Sequence, residues 1–178
     1  DLKELFEAEF EAKELTDAGY SAEQLKKVGC NVCQLKRADF SARQLKEAGF
    51  DAMALRADFD IIQLQNAGFS AQQLKDAGFD AWQLKSAGID LMHLKEAGFK
   101  AAHLRDAAFD AGQLSCVGFH VKDLKEAGFD ARELRDAGFD CKQLTQAGYW
   151  YQLLCAGFEA RDLRHAGFLL SQLLVAGF

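Results

Sequence analysis

A ten-residue pattern repeats without interruption along the whole chain, and this repetition is the strongest constraint on its fold. The 178 residues divide into eighteen consecutive repeats, of which sixteen have ten residues and two, residues 51–59 and 150–158, have nine. The pattern reads polar, small, variable, polar, Leu, variable, variable, small, Gly, Phe. A short fixed period is typical of a solenoid, in which each repeat buries its apolar face against its neighbours. We therefore predict a single domain over residues 1–178.

Each repeat carries the start and stop signals of a short α-helix. Position 1 is Ser, Asp or Asn in 12 repeats and position 4 is usually Gln or Glu, the two partners of a capping box. Position 9 is Gly in 14 repeats, and glycine readily adopts the left-handed conformation that ends many helices. Positions 2 to 8 are therefore predicted to form a helix of about two turns. Among the repeats without this glycine, the turn is most costly at Glu9 and Ala108.

The apolar positions predict how the helices share a core. Position 5 is Leu in every repeat and position 10 is Phe in 14 of them. The contacts that accompany helix caps bring each Phe against the Leu before it and the Leu after it, so Phe129 is expected to contact Leu124 and Leu134. Leu124→Ala is then expected to cost about 2–5 kcal/mol. Lys125→Ala, taken as a change at an exposed side chain, is expected to cost under about 0.5 kcal/mol.

A longer period of three repeats is superimposed on the first. Position 2 is usually Ala, but every third repeat has a larger residue there: Leu2, Val32, Ile61, Leu91, Val121 and Tyr151. This predicts an all-α solenoid of 18 short helices, with three helices and about 30 residues per coil, about six coils and a triangular cross-section. Val121 is then expected near Leu91 and Tyr151. A pentapeptide β-helix and a solenoid of antiparallel helix pairs are the alternatives; the first needs small inward residues and the second a two-repeat period.

Composition excludes several classes of protein. The chain is 49% hydrophobic, lacks proline and has a formal net charge of −6, which argues against disorder and against a nucleic-acid partner. No apolar run approaches the length of a membrane span, so we expect no membrane role. Five cysteines at irregular intervals do not form a disulfide framework. They indicate a reducing, intracellular compartment, and the cytoplasm is the expected location.

No group of residues has the pattern of a catalytic or metal site. Cys30 and Cys33 have CxxC spacing, but a zinc site needs a second such pair. His93 and His103 both occupy position 4, where an imidazole can replace the capping Gln. The glycines recur as helix ends and no P-loop is present. We therefore expect no enzymatic activity, no metal and no cofactor.

Two surfaces are candidates for binding a partner. Basic residues of one third of the repeats are expected to form a charged stripe beside acidic neighbours: Arg43, Lys46, Lys75, Arg105, Arg132, Arg135, Arg161 and Arg164. A ladder of compensating surface pairs is the simpler interpretation of this stripe. The second surface is apolar and consists of outward positions near the C-terminus: Trp150, Leu154, Leu169, Leu174 and Val175. Such residues usually mark a contact, here with a second copy in a two-fold dimer, a further coil, a lipid or another protein.

The decapeptide resembles tandem arrays of the LKxAGFxA type. "QLKEAGFDA" at residues 44–52 and "DLKEAGFDA" at residues 123–131 are its clearest copies, and the resemblance covers the whole chain. It implies a repeat scaffold and carries over no catalytic residue. The expected function is a non-enzymatic scaffold for protein–protein interaction, or a rigid spacer. The alternative is a structural protein that self-associates through its apolar C-terminal end.

Overall fold

The computed structural model describes residues 1–178 and contains eighteen short α-helices and no β-strand, one helix for each repeat. The predicted all-α array is therefore confirmed, and the β-helix alternative is excluded. All helices have six residues except α6, which has four because its repeat lacks position 7. None of them has both the length and the apolar character that a membrane-spanning helix needs. The helices are α1 Leu2–Glu7, α2 Ala12–Asp17, α3 Ala22–Lys27, α4 Val32–Arg37, α5 Ala42–Glu47, α6 Ala52–Leu55, α7 Ile61–Asn66, α8 Ala71–Asp76, α9 Ala81–Ser86, α10 Leu91–Glu96, α11 Ala101–Asp106, α12 Ala111–Cys116, α13 Val121–Glu126, α14 Ala131–Asp136, α15 Cys141–Gln146, α16 Trp150–Cys155, α17 Ala160–His165 and α18 Leu170–Val175.

The chain divides into two compact bodies. Residues Asp1–Ile89 form the N-terminal body with α1–α9, and residues Asp90–Phe178 form the C-terminal body with α10–α18. Each body contains nine complete repeats, and the two are described separately below. The single domain expected over residues 1–178 stays a prediction.

Capping boxes begin most of the helices, as the sequence predicts. In repeat 4, the Gln34 N–H donates to Asn31 Oδ1 at 2.9 Å, and the Asn31 N–H donates to Gln34 Oε1 at 2.9 Å. This exchange satisfies two of the N–H groups that a helix start leaves without partners. Since a six-residue helix has few internal hydrogen bonds, such caps supply a large share of its local stability.

Left-handed turns end the helices. In repeat 13, the Phe129 N–H donates to the Leu124 carbonyl at 3.0 Å and the Gly128 N–H donates to the Lys125 carbonyl at 2.9 Å, the two bonds of a Schellman motif. Glu9, Asp39 and Ala108 adopt the same turn at φ 62°, 67° and 58°, although a side chain there is costly. The turn after α6 has no residue with positive φ, because its shorter repeat closes with the Asp58 N–H donating to the Leu55 carbonyl.

The leucines at position 5 form the centre of the core in both bodies. Seventeen of them are buried and only Leu5, in the first repeat, is partly exposed. Most residues at position 10 are buried or half-buried beside them, and Phe129 is 5% exposed. Burial of a Leu or Phe side chain stabilises a fold by about 1.5–3 kcal/mol, so the repeated Leu and Phe account for most of the apolar driving force.

The packing between repeats follows a regular spacing. Within each body, every extensive contact between non-consecutive helices joins helices two repeats apart, such as α2 with α4 and α12 with α14. The predicted three-helix coil adds a contact with the helix three repeats later, which is not among these extensive contacts, so the number of helices per coil stays a prediction. In several repeats, long side chains at positions 3 and 6 also bind the end of the helix two repeats further on. The larger residues at position 2 lie mostly where that position is less buried. Leu91 and Val121 are half-buried, for example, whereas most alanines at position 2 are buried.

Candidate interaction surfaces

The end of each helix leaves backbone carbonyls that the chain must satisfy. The Schellman bonds use the carbonyls of positions 4, 5 and 6, whereas those of positions 7, 8 and 9 have no acceptor role within their own repeat. Unpaired carbonyls at a helix C-terminus also carry the negative end of the helix dipole. A cation placed there satisfies the carbonyls and stabilises the dipole together.

Basic side chains at position 6 supply these cations. Lys26 Nζ donates to the Ala48 carbonyl at 3.2 Å and to the Gly49 carbonyl at 2.7 Å, two repeats further on. Lys125 Nζ makes the same two bonds to Ala147 at 2.6 Å and Gly148 at 3.0 Å. The expectation that Lys125 is an exposed side chain is therefore wrong, because it is half-buried and bonded. The same link is made by Lys36, Lys46, Arg56, Lys95, Arg105 and Arg135.

The aromatic residue at position 10 completes most of these sites. Lys26 Nζ lies 4.3 Å from the centroid of the Phe50 ring, and Lys125 Nζ lies 4.9 Å from that of Tyr149. A cation over an aromatic face gains about 0.5–2 kcal/mol. Lys26, Lys95 and Lys125 therefore bind two carbonyls and a ring of the same neighbouring repeat. The other side chains of this set donate to one carbonyl each.

Two arginines at position 3 bind the remaining carbonyl. Arg43 Nη2 donates to the Asn66 carbonyl at 2.8 Å, and Arg132 Nη2 donates to the Cys155 carbonyl at 3.2 Å. Both acceptors belong to position 7 of the repeat two further on. We call the side chains at positions 3 and 6 that reach a helix end in this way the arms of a repeat.

The predicted charged stripe is largely occupied by these internal contacts. Five of its members are arms that donate to carbonyls: Arg43, Lys46, Arg105, Arg132 and Arg135. Lys75 occupies position 6 of its repeat and is half-buried. Arg161 Nη2 lies 3.8 Å from Glu159 Oε2. Arg164 is exposed and makes no such bond. Sequence reasoning missed the arms, although the recurrence of a cation at position 6 and an aromatic ring at position 10 was a visible signal.

The predicted apolar C-terminal surface is exposed to solvent. Val175 is 90% exposed, Leu169 is 66% exposed and Leu174 is 62% exposed, while Leu154 is half-buried. Trp150 is about half exposed and packs on Phe168 with ring centroids 5.6 Å apart. The structure also exposes Tyr151, Leu170 and Phe178, which widen the surface. We define the C-terminal apolar surface by Trp150, Tyr151, Leu169, Leu170, Leu174, Val175 and Phe178.

The cysteines and histidines lie where the repeat places them. All five cysteines are free thiols, and burial raises the pKa of the Cys30 and Cys141 thiols. The Lys100 N–H donates to His103 Nδ1 at 3.3 Å, so this imidazole takes the place of the capping Gln. His93 instead contacts its cap Asp90 through Nδ1 at 2.8 Å. No group of three or more potential His, Cys, Asp or Glu ligands converges on a metal position.

Comparison with known families agrees with the repeat. The family model described as the decapeptide repeat region matches four overlapping segments: residues 9–58, 54–121, 88–155 and 118–178. No curated protein and no solved structure matches the chain. The matched segments together extend from residue 9 to residue 178, so the chain belongs to the decapeptide repeat family.

Proposed function

We propose that this helical repeat protein is a non-enzymatic scaffold that binds another protein through its C-terminal apolar surface. The exposure of Leu169, Leu174 and Val175 is the observation that carries the proposal. These residues occupy positions 1, 6 and 7, where most other repeats have polar or charged side chains. Removing apolar surface from water gains about 25 cal/mol per Å², so a partner that covers them gains affinity. A rigid spacer has no use for such a surface.

A photo-crosslinking side chain at position 175 tests the proposal. Introduced in place of Val175, it is expected to capture a defined protein from extracts of the source cells. The matched control carries the same side chain in place of Met53, which is also exposed and apolar but lies in the N-terminal body. Capture at position 175 alone supports the proposal. Equal products at both positions, or none at position 175, would contradict it.

Self-association is the second candidate, and the same surface favours it. Two copies of an apolar patch cover each other in a closed two-fold dimer without any other partner. The substitutions Leu169→Asp, Leu174→Lys and Val175→Glu are expected to give a monomer of unchanged stability. Light scattering over a range of concentrations measures this, with Met53→Lys and Ile62→Glu as a matched control. A wild-type chain that remains monomeric at high concentration would exclude this candidate.

We also propose that the protein works in a reducing compartment, the cytoplasm being the simplest one. The five unpaired cysteines support this, because two of them are buried in the core as thiols. Titration of the freshly isolated, denatured protein with a thiol reagent is expected to find five free thiols. Fewer than five in protein protected from air would argue for an oxidising compartment.

A further inference from the structure

Repeat 12 lacks both arms. Its position 3 is Gly112, the only glycine at that position in the chain, and its position 6 is Ser115, which is too short to reach a neighbouring helix. By the two-repeat rule, these arms would have reached the end of α14. That end consists of Asp136, Ala137 and Gly138, whose carbonyls accept no hydrogen bond within the chain.

The neighbourhood of the glycines at position 9 shows the consequence of a missing arm. An arm lies within 4 Å of the space that a Cβ would occupy at Gly118, Gly128, Gly148 and Gly157 in the C-terminal body. No atom lies within 4 Å of that space at Gly138, nor at Gly167 and Gly177, which also receive no arm. The volume beside the end of α14 is therefore open where a lysine or arginine of this chain stands in other repeats.

A cavity of about 650 Å³ lies at this place, and its walls suit a cation. Gly112, Asp136 and Ala137 line it, and Phe109 and Phe129 add aromatic walls. Its charged lining residues are three carboxylates and one guanidinium: Asp110, Glu133, Asp136 and Arg105. Asp136 is paired with Arg135, and Arg105 Nη2 is 3.9 Å from Glu133 Oε2. Asp110 Oδ1 also accepts the Gln113 N–H and Glu133 Oε2 accepts the Asp130 N–H. The second oxygens of these two carboxylates and the carbonyls of the helix end remain as acceptors.

We infer that this cavity, which we call the α14 slot, binds an arginine side chain of a partner polypeptide. The chain itself provides the template, because Arg43 and Arg132 donate to the equivalent carbonyls at the ends of α7 and α16. Guanidinium has five donors in a planar fork, so it suits several separate acceptors better than an ammonium group does. The α14 slot is independent of the C-terminal apolar surface and adds a site to the proposed function.

Binding of a short peptide tests the inference directly. The probe is acetyl-Gly-Arg-Gly-amide, titrated into the isotope-labelled full chain while the amide signals of Gly112, Ala137 and Gly138 are followed by NMR. We expect saturable shifts at these residues with a dissociation constant on the order of 1 mM, since one side chain binds. The same peptide with citrulline, which keeps the shape and removes the charge, is expected to bind at least about 10-fold more weakly.

Substitutions that restore the arms provide the decisive controls. Gly112→Arg and Ser115→Lys, made separately, are each expected to fill the slot and weaken peptide binding at least about 10-fold. Gln65→Lys makes the same kind of change at position 6 of repeat 7, in the N-terminal body, and is expected to leave binding unchanged.

The opposite substitution opens a helix end that is filled in the wild type. Arg132→Gly with Arg135→Ser removes both arms of repeat 14 and should add saturable shifts at Ala156 and Gly157. Equal shifts for the arginine and citrulline peptides, or equal shifts in the wild type and the two filled variants, would overturn the inference. Shifts at Ala137 and Gly138 that vanish in both filled variants would sustain it.

Discussion

The ends of α7 and α14 have the same backbone but different surroundings. Arg43 and Lys46 reach the end of α7 and donate to the Asn66 and Gly68 carbonyls. Gly112 and Ser115 occupy the equivalent positions beside α14 and donate nothing to it. Both helices nevertheless form with complete capping boxes and buried leucines. The comparison separates the interactions that form each helix from those that attach it to the repeat two positions away.

The buried leucines that face α7 and α14 should contribute equally to the free energy of unfolding. Leu45 and Leu114 lie in the two repeats that face α7 and α14, and both are fully buried. We expect Leu45→Ala and Leu114→Ala each to lower the free energy of unfolding by about 2–5 kcal/mol, through lost burial and the cavity left behind. Urea unfolding of both variants measures it. A cost at Leu114 below about 1 kcal/mol would show that repeats without arms are also loosely packed.

Removing the arms should make the end of α7 resemble that of α14. The double substitution Arg43→Ala and Lys46→Ala is expected to cost about 2–3 kcal/mol, because charge-assisted hydrogen bonds to carbonyls are lost from a partly covered site. Gln72→Ala changes an exposed position 3 side chain in the same body and serves as the control. Chemical unfolding compares the two. If both cost the same, the arms contribute nothing to stability.

Loss of the Tyr149 hydroxyl tests a hydrogen bond to an earlier repeat, whereas the arms bind later repeats. Tyr149 Oη donates to the Phe129 carbonyl, two repeats earlier, at 2.6 Å. Burial, with Asp130 and Glu133 nearby, raises the pKa of Tyr149 to about 12. A raised pKa favours the protonated form in the folded state, so this contribution to stability is complete below the usual pKa of tyrosine, about 10. It is lost as pH rises from there through about 12.

Tyr149→Phe is accordingly expected to cost about 0.5–1.5 kcal/mol at neutral pH, the usual contribution of one hydrogen bond. Ultraviolet titration of the folded wild type should show one phenolate appearing late, and this step should be missing in the variant. A late step that survives the substitution would assign the shifted pKa to another tyrosine.

Adding an arm should have the smallest effect. Ser115→Lys is expected to raise the free energy of unfolding by about 0.3–1 kcal/mol, because a cation then lies at the end of a helix dipole. Thermal unfolding at low and high salt measures the gain, which should decrease as salt increases. Gln65→Lys, at position 6 of repeat 7, is the matched variant and should gain a similar amount. No gain at either position would show that the ends without arms are already well solvated.

Local structure was predictable from this sequence because each repeat contains its own signals. The caps at position 1, the partners at position 4 and the left-handed residues at position 9 specify a helix within ten residues, and the buried Leu at position 5 identifies the core. The turn at Asp58 was not predictable, because the missing residue of its repeat changes how the helix closes. The C-terminal apolar surface was predictable from residues such as Val175, which depart from the polar pattern.

Packing between repeats could not be predicted from the size of the side chains at position 2 alone. The period of three at position 2 reflects how exposed that position is, as the half-buried Leu91 and Val121 show. The bonds of the arms depend on how far Lys and Arg side chains reach, and no local pattern states which repeat receives them. The α14 slot was invisible for the same reason, since Gly112 and Ser115 are significant only once the acceptors of the missing arms are known.

A double-mutant cycle tests the two-repeat packing most directly. Each cycle combines Lys125→Met with a second substitution and compares the double variant with both single variants. The second substitution is Tyr149→Leu, two repeats further on, or Phe158→Leu, three repeats further on. Because Lys125 Nζ lies over the Tyr149 ring at 4.9 Å, two-repeat packing predicts a coupling free energy of about 0.5–1 kcal/mol between Lys125 and Tyr149. The coupling free energy between Lys125 and Phe158 should be zero within experimental error. Coupling of Lys125 to Phe158 and none to Tyr149 would contradict two-repeat packing and support stacking three repeats apart.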